Sequence, residues 1–107
     1  MDVRAPKGLS GEAEKMWRDI KDEYGIDDSV GLRLLRSACE SFDIVQQAQE
    51  ELRRDGLTLA DEKGGIKVHP LCAVQRDARS SMLAALKSLN CDLEPLRDKP
   101  GRPGGKG

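Results

Sequence analysis

Aromatic residues are scarce in this chain: Trp17, Tyr24 and Phe42 are the only three among 107 residues. Aromatic side chains bury the most area each. A domain of this size buries only about two-thirds of the surface its unfolded chain exposes. A core drawn from the 37% of residues that are apolar is therefore thin, and burial between copies would add to it. Apolar runs are short as well. None approaches the roughly 20 residues that cross a bilayer, and the opening Met1-Asp2-Val3-Arg4 is unlike a signal peptide. The three cysteines (Cys39, Cys72 and Cys91) are odd in number and widely spaced. That usage excludes a disulfide framework and fits a reducing compartment. A soluble cytoplasmic protein is expected.

Recognisable catalytic motifs are missing too. Gly64-Gly65 follows Lys63, but no glycine-rich loop with a trailing Lys-Ser/Thr is present to cradle a nucleotide. The single histidine, His69, stands three residues before Cys72. A structural zinc site needs four ligands, and a cysteine nucleophile needs an activating base in reach. The other cysteines offer no close pairing, so His69 reads as a loop residue capping a helix and Cys72 as a small buried hydrophobe. Carboxylates are many but scattered over amphipathic segments, with no evident acid/base couple. These readings predict binding without catalysis, and neither metal nor cofactor.

Helical periodicity is what the chain does have. Ser10 is a good N-cap, Glu12 and Glu14 suit the first turn, and Gly25 is a natural stop. Between them Ala13, Met16, Trp17, Ile20 and Tyr24 form one apolar stripe. Asp28 or Ser29 caps a longer second helix, which runs to about Arg54 and ends at Gly56. Its face of Leu32, Leu35, Cys39, Phe42, Val45 and Leu52 is widened by Leu34, Ala38, Ile44 and Ala48. That is more than one partner helix requires. Over residues 57–68 the period changes: Leu57, Leu59, Ile66 and Val68 alternate with polar residues around the turn-rich Asp61-Glu62-Lys63-Gly64-Gly65. A two-stranded hairpin is marginal alone, so this segment must pack on the helices or be ordered by a partner. Pro70 opens a third helix, whose stripe is Leu71, Val74, Ala78, Met82, Leu86 and Leu89 and whose end is Asn90.

The expected fold is mainly α: three helices, the central one long, with a short β-hairpin or extended loop between helices two and three. An arm over residues 1–8 and a disordered basic tail over residues 97–107 flank a domain over residues 9–96.

Net charge is −1, but it is unevenly spread. Residues 1–62 carry 9 basic and 15 acidic side chains, a sum of −6; residues 63–107 carry 9 and 4, a sum of +5. Such polarity suits a subunit with an anionic partner at one end and a protein at the other. Arg76 and Arg79, with Lys87 further along, place positive charge on the third helix, and Arg33 and Arg36 repeat the spacing on the second. These side chains could grip phosphates, or pair at the surface with Asp77, Glu40 or Asp43. No interleaved aromatics favour stacking on single-stranded bases, so contact with a duplex backbone fits better. The tail adds Arg97, Lys99, Arg102 and Lys106, a source of salt-sensitive attraction to phosphate.

In order along the chain stand Ala5-Pro6 before Leu9-Ser10, Trp17, Gly56, Lys63-Gly64 and His69-Pro70. Arg76-Asp77-Ala78-Arg79 and Leu93-Glu94-Pro95 follow. This order and spacing resemble the small terminase subunit of tailed phages over nearly all of residues 5–97. One departure is Asn90-Cys91, where a glycine-led turn is the pattern; asparagine tolerates the same backbone. An added N-terminal helix-turn-helix domain is not expected. The resemblance implies a non-enzymatic, ring-forming subunit of the host cytoplasm. Such a subunit engages viral double-stranded DNA at packaging initiation and regulates the ATPase and nuclease of the large terminase subunit. It further implies contact between copies through Leu32, Leu35, Cys39, Phe42, Val45 and Leu52. Arg76, Arg79, Lys87, Arg97, Lys99, Arg102 and Lys106 would face DNA, or the tail would face the large subunit. The competing reading is a small helical adaptor without DNA affinity.

Overall fold

The computed structural model describes residues 4–89, and the expected Asn90 stop and the tail lie outside them. The elements run α1 (Gly11–Tyr24), α2 (Ser29–Asp55), β1 (Thr58–Ala60), β2 (Ile66–Val68) and α3 (Leu71–Ser88). This is the expected mainly helical architecture, with the segment between helices two and three formed as a hairpin.

Each helix begins and ends where local chemistry asks it to. The Ser10 hydroxyl accepts from the Ala13 N–H at 3.1 Å, satisfying a donor that has no helical partner. Asp43 in turn accepts from the Ser10 N–H at 2.8 Å and from its hydroxyl, which fixes the start of α1 against the middle of α2. Gly25 closes α1 with φ 63°, a left-handed conformation that costs glycine nothing, and Ile26 then folds back into the core. Asp28, not Ser29, caps α2, accepting from the Gly31 N–H at 2.8 Å. A Cβ on Gly31 would lie 2.7 Å from the Asp28 carboxylate and 2.9 Å from Ile26. Glycine at this position thus lets cap and core approach together.

At 27 residues, α2 is about 40 Å long and forms the spine. Along its first half α1 lies antiparallel to it, with Ser10 at Asp43 and Ile26 at Gly31. Ala13, Trp17 and Ile26 meet Leu35, Ala38 and Cys39 there, and Ala85 and Leu86 of α3 complete the cluster. The second half of α2 buries Val45, Ala48 and Leu52, while Ala78 is the buried residue in the first half of α3. Nothing described covers the outer sides of this half, so the core is thick at one end and two helices deep at the other.

The hairpin pairs Thr58 with Val68, Leu59 with Lys67 and Ala60 with Ile66. The Asp61 carboxylate shapes its turn, accepting from the N–H groups of Lys63 (2.9 Å) and Gly65 (2.7 Å). Directly opposed residues share a face, so Leu59 and Lys67 occupy one side and Thr58, Ala60, Ile66 and Val68 the other. Only Leu59 is half-buried. Ile66 is 77% exposed and Val68 67% exposed, so the more apolar face of the hairpin is bare.

Candidate functional site

Three surfaces carry chemistry that the fold does not consume. The first begins on α3. Arg76 lies 3.3 Å from Asp77, both side chains well exposed, a pairing that solvent screens and that holds the guanidinium only weakly. Helical spacing places Ser80, Leu83 and Lys87 on the outer face with Arg76, at separations of four, seven and eleven. Arg79 is rotated from that row by about 60° and points toward α2. Among the described residues neither Arg79 nor Lys87 has a carboxylate partner. On α2, Arg36 pairs with Glu40 at 3.0 Å, whereas Asp43 is engaged by Ser10. The four tail positions, Arg97, Lys99, Arg102 and Lys106, fall outside the described residues.

The second surface is a cleft of about 460 Å³ between the end of α2 and the start of α3. Gln49, Leu52 and Arg53 line it from α2, Gln75 and Arg79 from α3, and Leu57 from the connecting segment. Arg53 also pairs with the exposed Glu50 at 3.1 Å, a residue that does not itself line the cleft. Arg53 carries no distinguishing signal in the sequence, where it reads only as a cation suited to the last turn of a helix. Its approach to Arg79 depends on the antiparallel register of α2 and α3, which one sequence does not display.

The third surface is apolar. A smaller cleft of about 210 Å³ opens between Ile44, Gln47, Ala48 and Glu51 of α2 and Leu71 and Val74 of α3. Ile44 and Val74 are half exposed there. The widened stripe of the second helix therefore has two fates. Of the six residues expected between copies, Leu35, Cys39, Val45 and Leu52 are buried within the single chain, and Leu32 and Phe42 are half-buried. Val30 and Ile44 are the α2 apolar side chains left open.

His69 joins these parts. Its imidazole is buried, with Nε2 3.1 Å from the Asp55 carboxylate and Nδ1 accepting from the Leu71 N–H at 3.1 Å. That acceptor role assigns the proton to Nε2, which donates to Asp55. The His69 N–H donates to the Leu57 carbonyl at 2.8 Å, and its own carbonyl accepts from Cys72. One residue thus ties the end of α2, the base of the hairpin and the start of α3. Hydrogen bonds from Arg54 and then His69 hold the Asp55 carboxyl below its ordinary value. Both ring nitrogens of His69 are engaged, so the ring is not free to activate the half-buried Cys72, whose Sγ sits 3.9 Å from the Leu57 carbonyl. The Cys39 thiol is pushed up to about 12 by burial, with Asp43 and Glu40 adding to the effect. It is a core residue in character. Among the described residues no cluster of three or more His, Cys, Asp or Glu could hold a metal ion, and no helix is long and apolar enough to cross a membrane.

The surfaces available for chemistry are therefore basic and apolar patches. No curated protein and no solved structure matches the chain. The family described as phage terminase, small subunit, matches over residues 13–94, which takes in α2, α3, the hairpin and α1 from its third residue on. The chain belongs to the phage terminase small-subunit family.

Proposed function

We propose that this chain is the DNA-recognising, non-catalytic component of a phage packaging machine. In this reading it assembles into a ring of copies in the host cytoplasm, engages viral duplex DNA and regulates the large terminase subunit. Family membership over residues 13–94 carries the proposal. Arg79 and Lys87, which have no carboxylate partner among the described residues, and the exposed Arg76 beside Asp77 support it, because phosphate contacts need accessible positive charge. DNA contact falls to Arg76, Arg79 and Lys87, extended by Arg97, Lys99, Arg102 and Lys106 of the tail over residues 97–107. The domain over residues 9–96 supplies the scaffold, and the arm over residues 1–8 leads into it. Contact between copies draws on Leu32 and Phe42, half-buried, and on the apolar groups that the single chain leaves open.

Filter binding of duplex DNA across a salt series tests the DNA role. Affinity should fall steeply with salt. Replacing Arg76 and Arg79 together by alanine should weaken binding while leaving the assembly intact, and each lost phosphate contact should lower the salt slope by about 1. Unchanged affinity would move the contact to the tail. Absence of binding even at low salt would favour a helical adaptor that contacts only protein.

A further inference from the structure

We propose that the cleft between the C-terminal half of α2 and the N-terminal half of α3 docks an acidic amphipathic helix of a partner protein. The inference concerns protein contact; the cleft shares Arg79 with the proposed DNA set and otherwise lies off the outer face of α3.

The covered half of the same helix shows what this side of α2 accepts. Cys39 and Phe42 belong to the stretch on which α1 lies, and α1 ends where Ser10 meets Asp43. Gln49 is seven residues beyond Phe42 and Arg53 fourteen beyond Cys39, so the same side of α2 continues for about three more turns without cover from the described residues. There it faces Gln75 and Arg79 across the cleft. The occupant of the covered half, α1, is itself an acidic amphipathic helix. Its apolar stripe of Ala13, Trp17 and Ile20 is bordered by Glu12, Glu14, Asp19, Asp22 and Glu23 against three cations.

Lining and charge select the same class of ligand for the uncovered half. Leu52 forms a buried floor and Leu57, 65% exposed, an open apolar wall. Arg53 and Arg79 stand at the rim with two amide side chains; among the described residues no carboxylate lines the cleft, and Glu50 meets Arg53 from outside it as an exposed pair. Leucine or similar side chains at positions i and i+4 of a partner helix would cover Leu52 and Leu57. Flanking carboxylates would reach the two guanidinium groups, which bind carboxylates through paired N–H donors. A DNA duplex suits the cleft less well. Its phosphates gain nothing from a leucine floor, and a rod wider than the cleft would reach only the rim.

The test uses the full chain and a labelled, end-capped 15-residue helical peptide of Leu, Glu and Ala, with leucines at i and i+4. Fluorescence anisotropy should show saturable binding, and a Lys-for-Glu counterpart should not bind. Arg53→Glu and Leu57→Ser should each weaken the acidic peptide at least tenfold, and Leu57→Ser, which changes no charge, should leave duplex affinity unchanged. Three results overturn the proposal: no saturable binding of the acidic peptide, equal binding of its lysine counterpart, or full affinity in both variants. Loss of duplex binding in Leu57→Ser would assign the cleft to nucleic acid instead. A change in assembly size in that variant, read by native mass spectrometry, would assign it to a second copy of this chain.

Discussion

His69 concentrates several contacts in one buried ring. Its Nε2 holds Asp55 on α2 while Nδ1 caps the first turn of α3. Replacing it by alanine removes both hydrogen bonds and leaves a cavity at the junction. A destabilisation of about 1–2 kcal/mol is expected, which for a domain of this size lowers Tm by roughly 4–8 °C per kcal/mol. Asp55→Ala takes the acceptor from the Nε2–H of the buried ring and should cost a comparable amount. A double-mutant cycle read by thermal denaturation measures the coupling; additive effects would mean that the two groups do not support each other. Cys39 makes a second prediction at this scale. Its thiol is pushed up to about 12 when folded, against an ordinary 9.0. The stabilising preference is therefore complete below pH 9 and is lost as pH rises toward 12, because the unfolded thiol ionises first. Chemical denaturation should show stability falling more steeply over that window in the native chain than in Cys39→Ala. Trp17, by contrast, buries its indole N–H without an acceptor among the described residues, where it contributes through ring volume.

Among the elements, α2 and the hairpin behave in opposite ways. The start of α2 depends on a close approach that only glycine permits. Gly31→Ala would gain up to about 1 kcal/mol in helix propensity. Its Cβ, however, would press on the Asp28 cap and on buried Ile26. Both contacts matter to the native state, so a net loss of stability is expected, read as a lower urea midpoint with an unchanged slope. The hairpin leaves Ile66 and Val68 open on one face. Replacing both by serine should change the stability of an isolated chain by no more than about 0.5 kcal/mol for each surface substitution. If this face is used between copies, the same variant should shift the assembly toward monomer in native mass spectrometry. An unaltered mass distribution would leave the Ile44 and Val74 side of the helix pair as the place to look.

At the scale of the whole molecule, cover is uneven. One end packs three helices around Trp17, Leu35 and Cys39, whereas among the described residues the other has α2 and α3 together with a hairpin anchored by His69. Open clefts flank the two-helix end on both sides, one rimmed by arginine and one apolar. A chain of this kind has little core to spare, and association would cover what the monomer leaves exposed. The full chain should therefore migrate as an oligomer at micromolar concentration. A monomer alone in native mass spectrometry would remove the ring from the proposed function.

The sequence by itself determined the helices, their caps and the turn, because those depend on neighbours a few residues away. Ser10, Gly25, Asp28 and Gly56 act through local hydrogen bonds and backbone freedom, and apolar spacing marks the faces. It also marked His69 as a capping residue, since Pro70 beside it announces a helix start. Only the tertiary structure decided which apolar residues are used up. Leu35 and Ile44 look alike in the stripe, yet one is enclosed by α1 and α3 and the other remains open, because α1 is too short to cover all of α2. The same holds for charge. Arg53 and Arg79 are 26 positions apart in sequence and become neighbours only through the antiparallel packing of α2 on α3, which long-range burial fixes and local periodicity does not encode.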